Sequence, residues 1–114
     1  MTDMTVVAEK ERRRVDLRGA FIRRTSLRNA SLVRANLAKA DCAWADFTDA
    51  DLTDANLEGA NLSHAILRGA DLRNASLAGA ILTGADLTRA LNLKRKQLGK
   101  AIVDAATKLP AFVD

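Results

Sequence analysis

The sequence predicts an all-β solenoid, a chain wound into narrow coils that stack on one another, and three observations lead there. The first is a period of five: from position 20 to position 90, every fifth residue is Ala except Thr25. Two residues after each of these comes a larger apolar residue, from Ile22 through Cys42 and Phe47 to Leu87, with Val15 and Leu17 opening the series. The second is that neither ordinary element can use this period. Five steps carry an α-helix about 140° past a full turn, so the leucines would spiral over every face. In a flat strand an odd period would send successive leucines to opposite sides. The third is punctuation. Asp, Asn or Ser recurs just before the leucine, as at Asp41, Asn56 and Ser76, and Gly closes several units, as at Gly19 and Gly59. These residues suit bends, by side-chain bonds to nearby backbone or by freedom in φ. One extended piece and one bend per unit points every Ala and Leu inward, and stacked coils pair their backbones about 4.8 Å apart.

The elements follow in order along the chain. Residues 1–14 are an N-terminal segment in which Ala8 to Arg14 combines good helix formers with mixed charge, so a short helix or a mobile stretch is expected. The arginines at 12–14 have the chemistry to touch phosphate, but a solvated terminus is the favoured account. Residues 15–91 carry the repeat, fifteen units from Val15 to Arg89 without an insertion. At residues 92–114 the period fails, because Asn92 falls in a leucine slot. Leu93 to Val103 reads as a helix, with Leu93, Leu98, Ala101 and Ile102 on one stripe and lysines on the other. Asn92 is its expected N-cap, and Pro110 ends it. Such a segment would cap the apolar end of the last coil, as stacked repeats require.

The units Ala50-Asp51-Leu52-Thr53-Asp54, Ala55-Asn56-Leu57-Glu58-Gly59 and Ala85-Asp86-Leu87-Thr88-Arg89 resemble the A-(D/N)-L-x-x pattern of the pentapeptide-repeat family. That resemblance implies a right-handed quadrilateral β-helix with four units per coil, here about four coils, to which the residues after Ala90 add the short C-terminal helical cap. In some relatives the C-terminal part mediates dimerisation. A homodimer through Leu93, Leu98 and Ile102, and a monomer whose helix plugs the last coil, are both left open. With four units per coil, residues twenty apart stack. One face then gathers Phe21, Arg24, Trp44, His64 and Ile81, and a cation–π contact of Arg24 on Trp44 is expected. An ion pair of Arg34 with Asp54 is expected on the next face.

Composition narrows the function. Residues 1–40 hold ten Lys and Arg against four acids, residues 41–67 hold six acids and no Lys or Arg, and residues 68–114 hold eight basic residues against four acidic. An acidic belt between two basic regions is poor for nucleic-acid binding, which wants one continuous basic patch. The single cysteine, Cys42, excludes an intramolecular disulfide and should be a buried, inert core residue. His64 is the sole histidine, so no zinc cluster is expected, and no phosphate-binding glycine loop occurs. No catalytic residue, cofactor or metal is therefore expected. No apolar run is long enough for a membrane span, and the start lacks a signal peptide, which points to a bacterial cytoplasmic protein. The expected function is a non-catalytic protein-interaction scaffold whose partner meets the face from Phe21 to Ile81 or the cap. Two alternatives stand beside it. Some relatives protect bacterial type II topoisomerases from quinolones by imitating DNA, which implies a modulator of DNA gyrase. The basic ends suggest binding to nucleic acid or an anionic surface.

Overall fold

In a computed structural model of the chain, residues 14–112 are described. The expectation for residues 1–14 thus lies outside the described residues, Arg14 apart. Within each five-residue unit the third residue's carbonyl accepts the amide of the next unit's first residue. Ala45 bonds Cys42 in this way at 3.0 Å, and Ala50 bonds Phe47 at 2.9 Å. The fifth residue has positive φ in unit after unit, between +55° and +63° at non-glycine positions such as Arg24, Trp44, Asp54 and His64. A three-residue hydrogen-bonded step with positive φ only at its third position is a type II turn. Each unit is therefore a short extended piece followed by a tight corner.

The coils close every twenty residues. Parallel bridges join Asp16 to Asn36, Asn36 to Asn56 and Asn56 to Ser76, and equivalent bridges rise from Phe21, Ser26 and Ser31. Four units thus make one coil. The amide of Arg34 donates to the Thr53 carbonyl at 2.8 Å, so Arg34 stacks over Asp54, as that coil requires.

This ladder gives most amides of a unit an acceptor. The first residue bonds within its corner. The second donates to the coil before it (Asp41 to Ala20, 2.8 Å), while the third and fifth donate to the coil after it (Cys42 to Asn61, 2.8 Å; Trp44 to Ser63, 3.0 Å). Where the second residue is Asp or Asn, the fourth donates to its side chain, as Thr53 does to Asp51 Oδ1 (3.1 Å) and Glu58 to Asn56 Oδ1 (3.0 Å). That last bond explains why Asp or Asn precedes so many of the leucines. An amide left unpaired would cost about 1–3 kcal/mol.

Inside, Ala and Leu fill the bore. Leu32, Leu37, Leu52, Leu57, Leu62 and Leu82 are fully buried, and Phe47 and Cys42 are equally so. Phe47, the largest of these side chains, shares its coil with Cys42, the smallest occupant of a leucine slot. Large beside small holds the volume of the coil near constant. The first coil is less covered: Val15, Leu17, Ile22 and Ala30 are only partly buried among the described residues.

The C-terminal part differs from expectation. The helix expected over Leu93–Val103 is a single 3-10 turn, Arg95–Leu98, with Lys94 rather than Asn92 at its N-cap. Asn92 instead takes φ +60° and donates Nδ2 to Asp71 Oδ1 (3.0 Å). The core position passes one residue on, to Leu93, which is 2% exposed. Beyond the turn the chain rejoins the ladder, with Ile102 bridging Ile81 and Lys108 bridging Asp86. The reason lies in the preceding coil. The amides of Gly79, Leu82 and Leu87 need acceptors, and find them in Lys100, Ile102 and Lys108 at 2.7–2.8 Å. A helix keeps its carbonyls for itself and would have left these amides unpaired. Extended chain serves them.

Candidate functional site

The corner position decides how the expected face is built. Arg24, Trp44 and His64 are fifth residues of successive coils, so their side chains project from one corner, twenty residues apart. The Trp44 and His64 rings stack with centroids 4.3 Å apart and planes 14° from parallel. The Arg24 guanidinium lies over the other face of Trp44, 5.3 Å from the ring centroid, so the expected cation–π contact forms. Below His64 the column reaches Gly84, at φ +67°. A Cβ on Gly84 would come within 2.5 Å of the His64 ring, so the imidazole lies directly against this glycine. Asp104 ends the column, its Oδ1 accepting the Gly84 amide at 3.1 Å. That bond, helped by the amides of Ala106 and Thr107 and the Thr107 hydroxyl against some desolvation, holds the Asp104 carboxyl below its usual range.

Phe21 and Ile81 belong to a second column of the same side, which runs Phe21, Asp41, Asn61, Ile81 and Ile102. Phe21 is 89% exposed and Ile81 is half-buried, and two polar residues separate them. The five expected residues therefore share one side but form no continuous apolar patch. The ordered feature of this side is the stacked corner, in which Trp44 keeps 46% of its surface exposed.

Charge is arranged between coils in a way the sequence reading did not find. Arg23 pairs with Asp41, Arg28 with Asp46 and Arg68 with Asp86, all at 3.3–3.4 Å and all eighteen residues apart. The arginine leaves the fourth position and reaches back along the next coil to its second. An arginine in the fourth position, eighteen residues before an aspartate, was the available signal. Pairs this exposed contribute little each, but two of them set the first coil's arginines against the acidic belt. Burial works against the charge on Asp46, yet bonds from the Thr48 hydroxyl and amide and from Arg28 outweigh it and keep the carboxyl below its usual range. Asp86 behaves likewise with Thr88 and Arg68.

Cys42 is buried in its leucine slot, as expected, and burial first, then the nearby Asp41 charge, pushes its thiol up to about 12. Of the expected cap contacts, Leu93 is buried in the core and Leu98 packs on it, so only Ile102, 50% exposed, is open to a partner. Among the described residues, no group of three His, Cys, Asp or Glu is placed to hold a metal ion. Among them, too, no helix is long and apolar enough to cross a membrane.

Comparison with known proteins agrees with this geometry. The family model for pentapeptide repeats matches residues 16–54 and 55–91, in eight copies. Among solved structures, a pentapeptide repeat protein from the cyanobacterium Cyanothece 51142 is 35% identical, with a TM-score of 0.69 over 84% of this chain and 61% of that one. The chain thus spans less than two thirds of that relative's length. A pentapeptide repeat protein from Nostoc Pcc 7120 is 29% identical, with a TM-score of 0.53 over 100% of this chain and 93% of that one. The search of curated proteins found no match.

Proposed function

Because the chain belongs to the pentapeptide-repeat family, we propose that it is a non-catalytic scaffold that meets a protein partner through the side bearing Phe21, Arg24, Trp44, His64 and Ile81. The observation that carries this reading is the exposed Arg24–Trp44–His64 stack. At φ +63° a glycine or asparagine would sit with less strain than a tryptophan. A bulky, half-exposed aromatic held there, fixed in orientation by an arginine and a histidine, resembles the rigid anchors that dominate protein interfaces. Phe21 on the same side adds a second apolar contact. In this reading residues 15–91 form the binding body, residues 92–114 complete its last coil, and the protein works in the bacterial cytoplasm without cofactor or metal.

The test is affinity capture from the source cell with the intact chain, Trp44→Ala, and Glu58→Ala as a control on another side. A partner retained by the control and lost with Trp44→Ala supports the reading. An unchanged partner set and oligomeric state with Trp44→Ala would overturn it. Dimer formation through Ile102 is tested by the sedimentation of Ile102→Asp. The gyrase alternative draws on the acidic belt, but Asp41 and Asp46 there are tied to arginines of the first coil. Inhibition of supercoiling by the added protein would favour it over the scaffold.

A further inference from the structure

The slip of register at Asn92 opens a cleft at the corner diagonally opposite the Trp44 stack. About 460 Å³ in volume, it is lined by Arg73, Asn74, Asn92, Lys94, Lys96 and Gln97, with Ala75 at its floor. A shallower groove sharing Ala75, Lys96 and Gln97 continues it toward Lys100. Among the described residues, three cations line the cleft and no carboxylate does. None of the three is held in an ion pair among the described residues, whereas Arg18, Arg23, Arg28 and Arg68 all are. Asp71, close by, spends its Oδ1 on the Arg73 amide at 3.1 Å and on Asn92 Nδ2 at 3.0 Å.

The walls are fixed by side-chain amides. Gln97 Nε2 donates to the carbonyls of Leu72 (2.8 Å) and Ala75 (3.0 Å), and its Oε1 accepts the Lys94 amide (2.8 Å). This pins the 3-10 turn, which carries Lys96 and is capped by Lys94, to the corner after Arg73. Like charges gathered at one cleft repel, and a cleft lined by one sign focuses its field on an entering ion. Charge complementarity therefore calls for an anion with several negative charges. The guanidinium fork of Arg73 matches phosphate oxygens, with the lysines as point charges. Among the described residues no aromatic side chain lines the cleft, so they offer no platform for a nucleobase.

We propose that this cleft binds a compact polyanion with two linked phosphoryl groups, read through those groups alone. The proposal is independent of the partner-binding side. Free pyrophosphate and the diphosphate end of a larger molecule share this chemistry, and the test has an arm for each. The intact chain is titrated calorimetrically with inorganic pyrophosphate and with ADP, at about 0.05 M and about 0.15 M salt. The expected result is saturable one-to-one binding, weaker at the higher salt. The Lys94→Gln/Lys96→Gln double variant and Arg73→Gln should each weaken it about tenfold or more, and Arg28→Gln, the same charge change elsewhere, by less than about twofold. All of these residues are exposed, and Gln97 is left intact, so the variants keep the frame. ADP binding within about threefold of pyrophosphate supports readout of the diphosphate alone. Absence of saturable binding, or equal loss in the Arg28 variant, overturns the proposal. So does tighter binding by about tenfold of ADP or of a phosphoserine peptide, which would assign the cleft to a nucleotide or to a protein partner.

Discussion

Replacing Trp44 by Ala and, separately, by Gly distinguishes ring stacking from backbone strain at the exposed corner. The indole lies between the Arg24 guanidinium at 5.3 Å and the His64 ring at 4.3 Å, on a backbone with φ +63°. Alanine removes both contacts. An exposed cation–π contact contributes about 0.5–1 kcal/mol, and a stacked ring pair about 0.5–1.5 kcal/mol. The expected loss for Trp44→Ala is therefore about 1–2.5 kcal/mol, well short of a core deletion. Trp44→Gly loses the same contacts but escapes the left-handed strain, which costs an L-residue about 1–2 kcal/mol. Part of that gain returns to the unfolded state, where glycine is the more flexible residue. The glycine variant should accordingly be more stable than the alanine variant by about 1 kcal/mol, the reverse of their order in a helix or strand. Urea unfolding followed by far-UV circular dichroism measures both. An alanine variant as stable as the glycine variant would refute the strain argument. A loss above about 4 kcal/mol for Trp44→Ala would place the indole in the core rather than at an exposed corner.

Phe47→Ala should cost about 3–5 kcal/mol, because the fully buried ring leaves a void its neighbours can only partly fill; the urea midpoint should fall with little change in slope. Asp46 and Asp86 have folded pKa values below the ordinary 3.8, so their stabilisation is present above that value and lost as pH falls through the folded one. Stability should decline below about pH 4, and Thr48→Val with Thr88→Val should flatten that decline, as read from urea midpoints across a pH series. A thiol reagent at about pH 8 should leave native Cys42 unmodified and react promptly once the chain is denatured, given a thiol pushed up to about 12. Fast reaction in the native state would mean that the second coil opens.

Most of the solenoid was legible because a single set of positions carries it. Ala50, Leu52 and their equivalents define the bore, and Asp51 with its equivalents marks the bend. Twenty-residue stacking came through family resemblance, and with it the Arg24–Trp44 contact. The left-handed corner was also written in the sequence. From Gly19 to Arg89 the fifth position holds Gly, Asn, Asp, Arg, Lys, His or Trp, and never Val, Ile, Thr, Leu or Ala. The spacing of the ion pairs does not follow from straight stacking, because a long arginine in a turn reaches obliquely to the next coil. The tail misled for a different reason. Leu98, Ala101 and Ile102 have helical spacing, but the open amides of Gly79, Leu82 and Leu87 outweigh local preference, and no window of sequence displays that demand. The cation-lined cleft depends on the same slip and was invisible with it.

The drift of that tail has a consequence for assembly. Leu91 still bridges a residue twenty positions back, but Ile102 bridges one twenty-one back and Lys108 one twenty-two back. A regular solenoid counts in twenties, and a count that slips leaves an edge that another copy's first coil cannot follow in step. Two stacked rods would have to mismatch their corners as well as their hydrogen bonds. End-to-end growth into fibres, the standing hazard of exposed strand edges, is thus opposed by arithmetic rather than by a bulky plug.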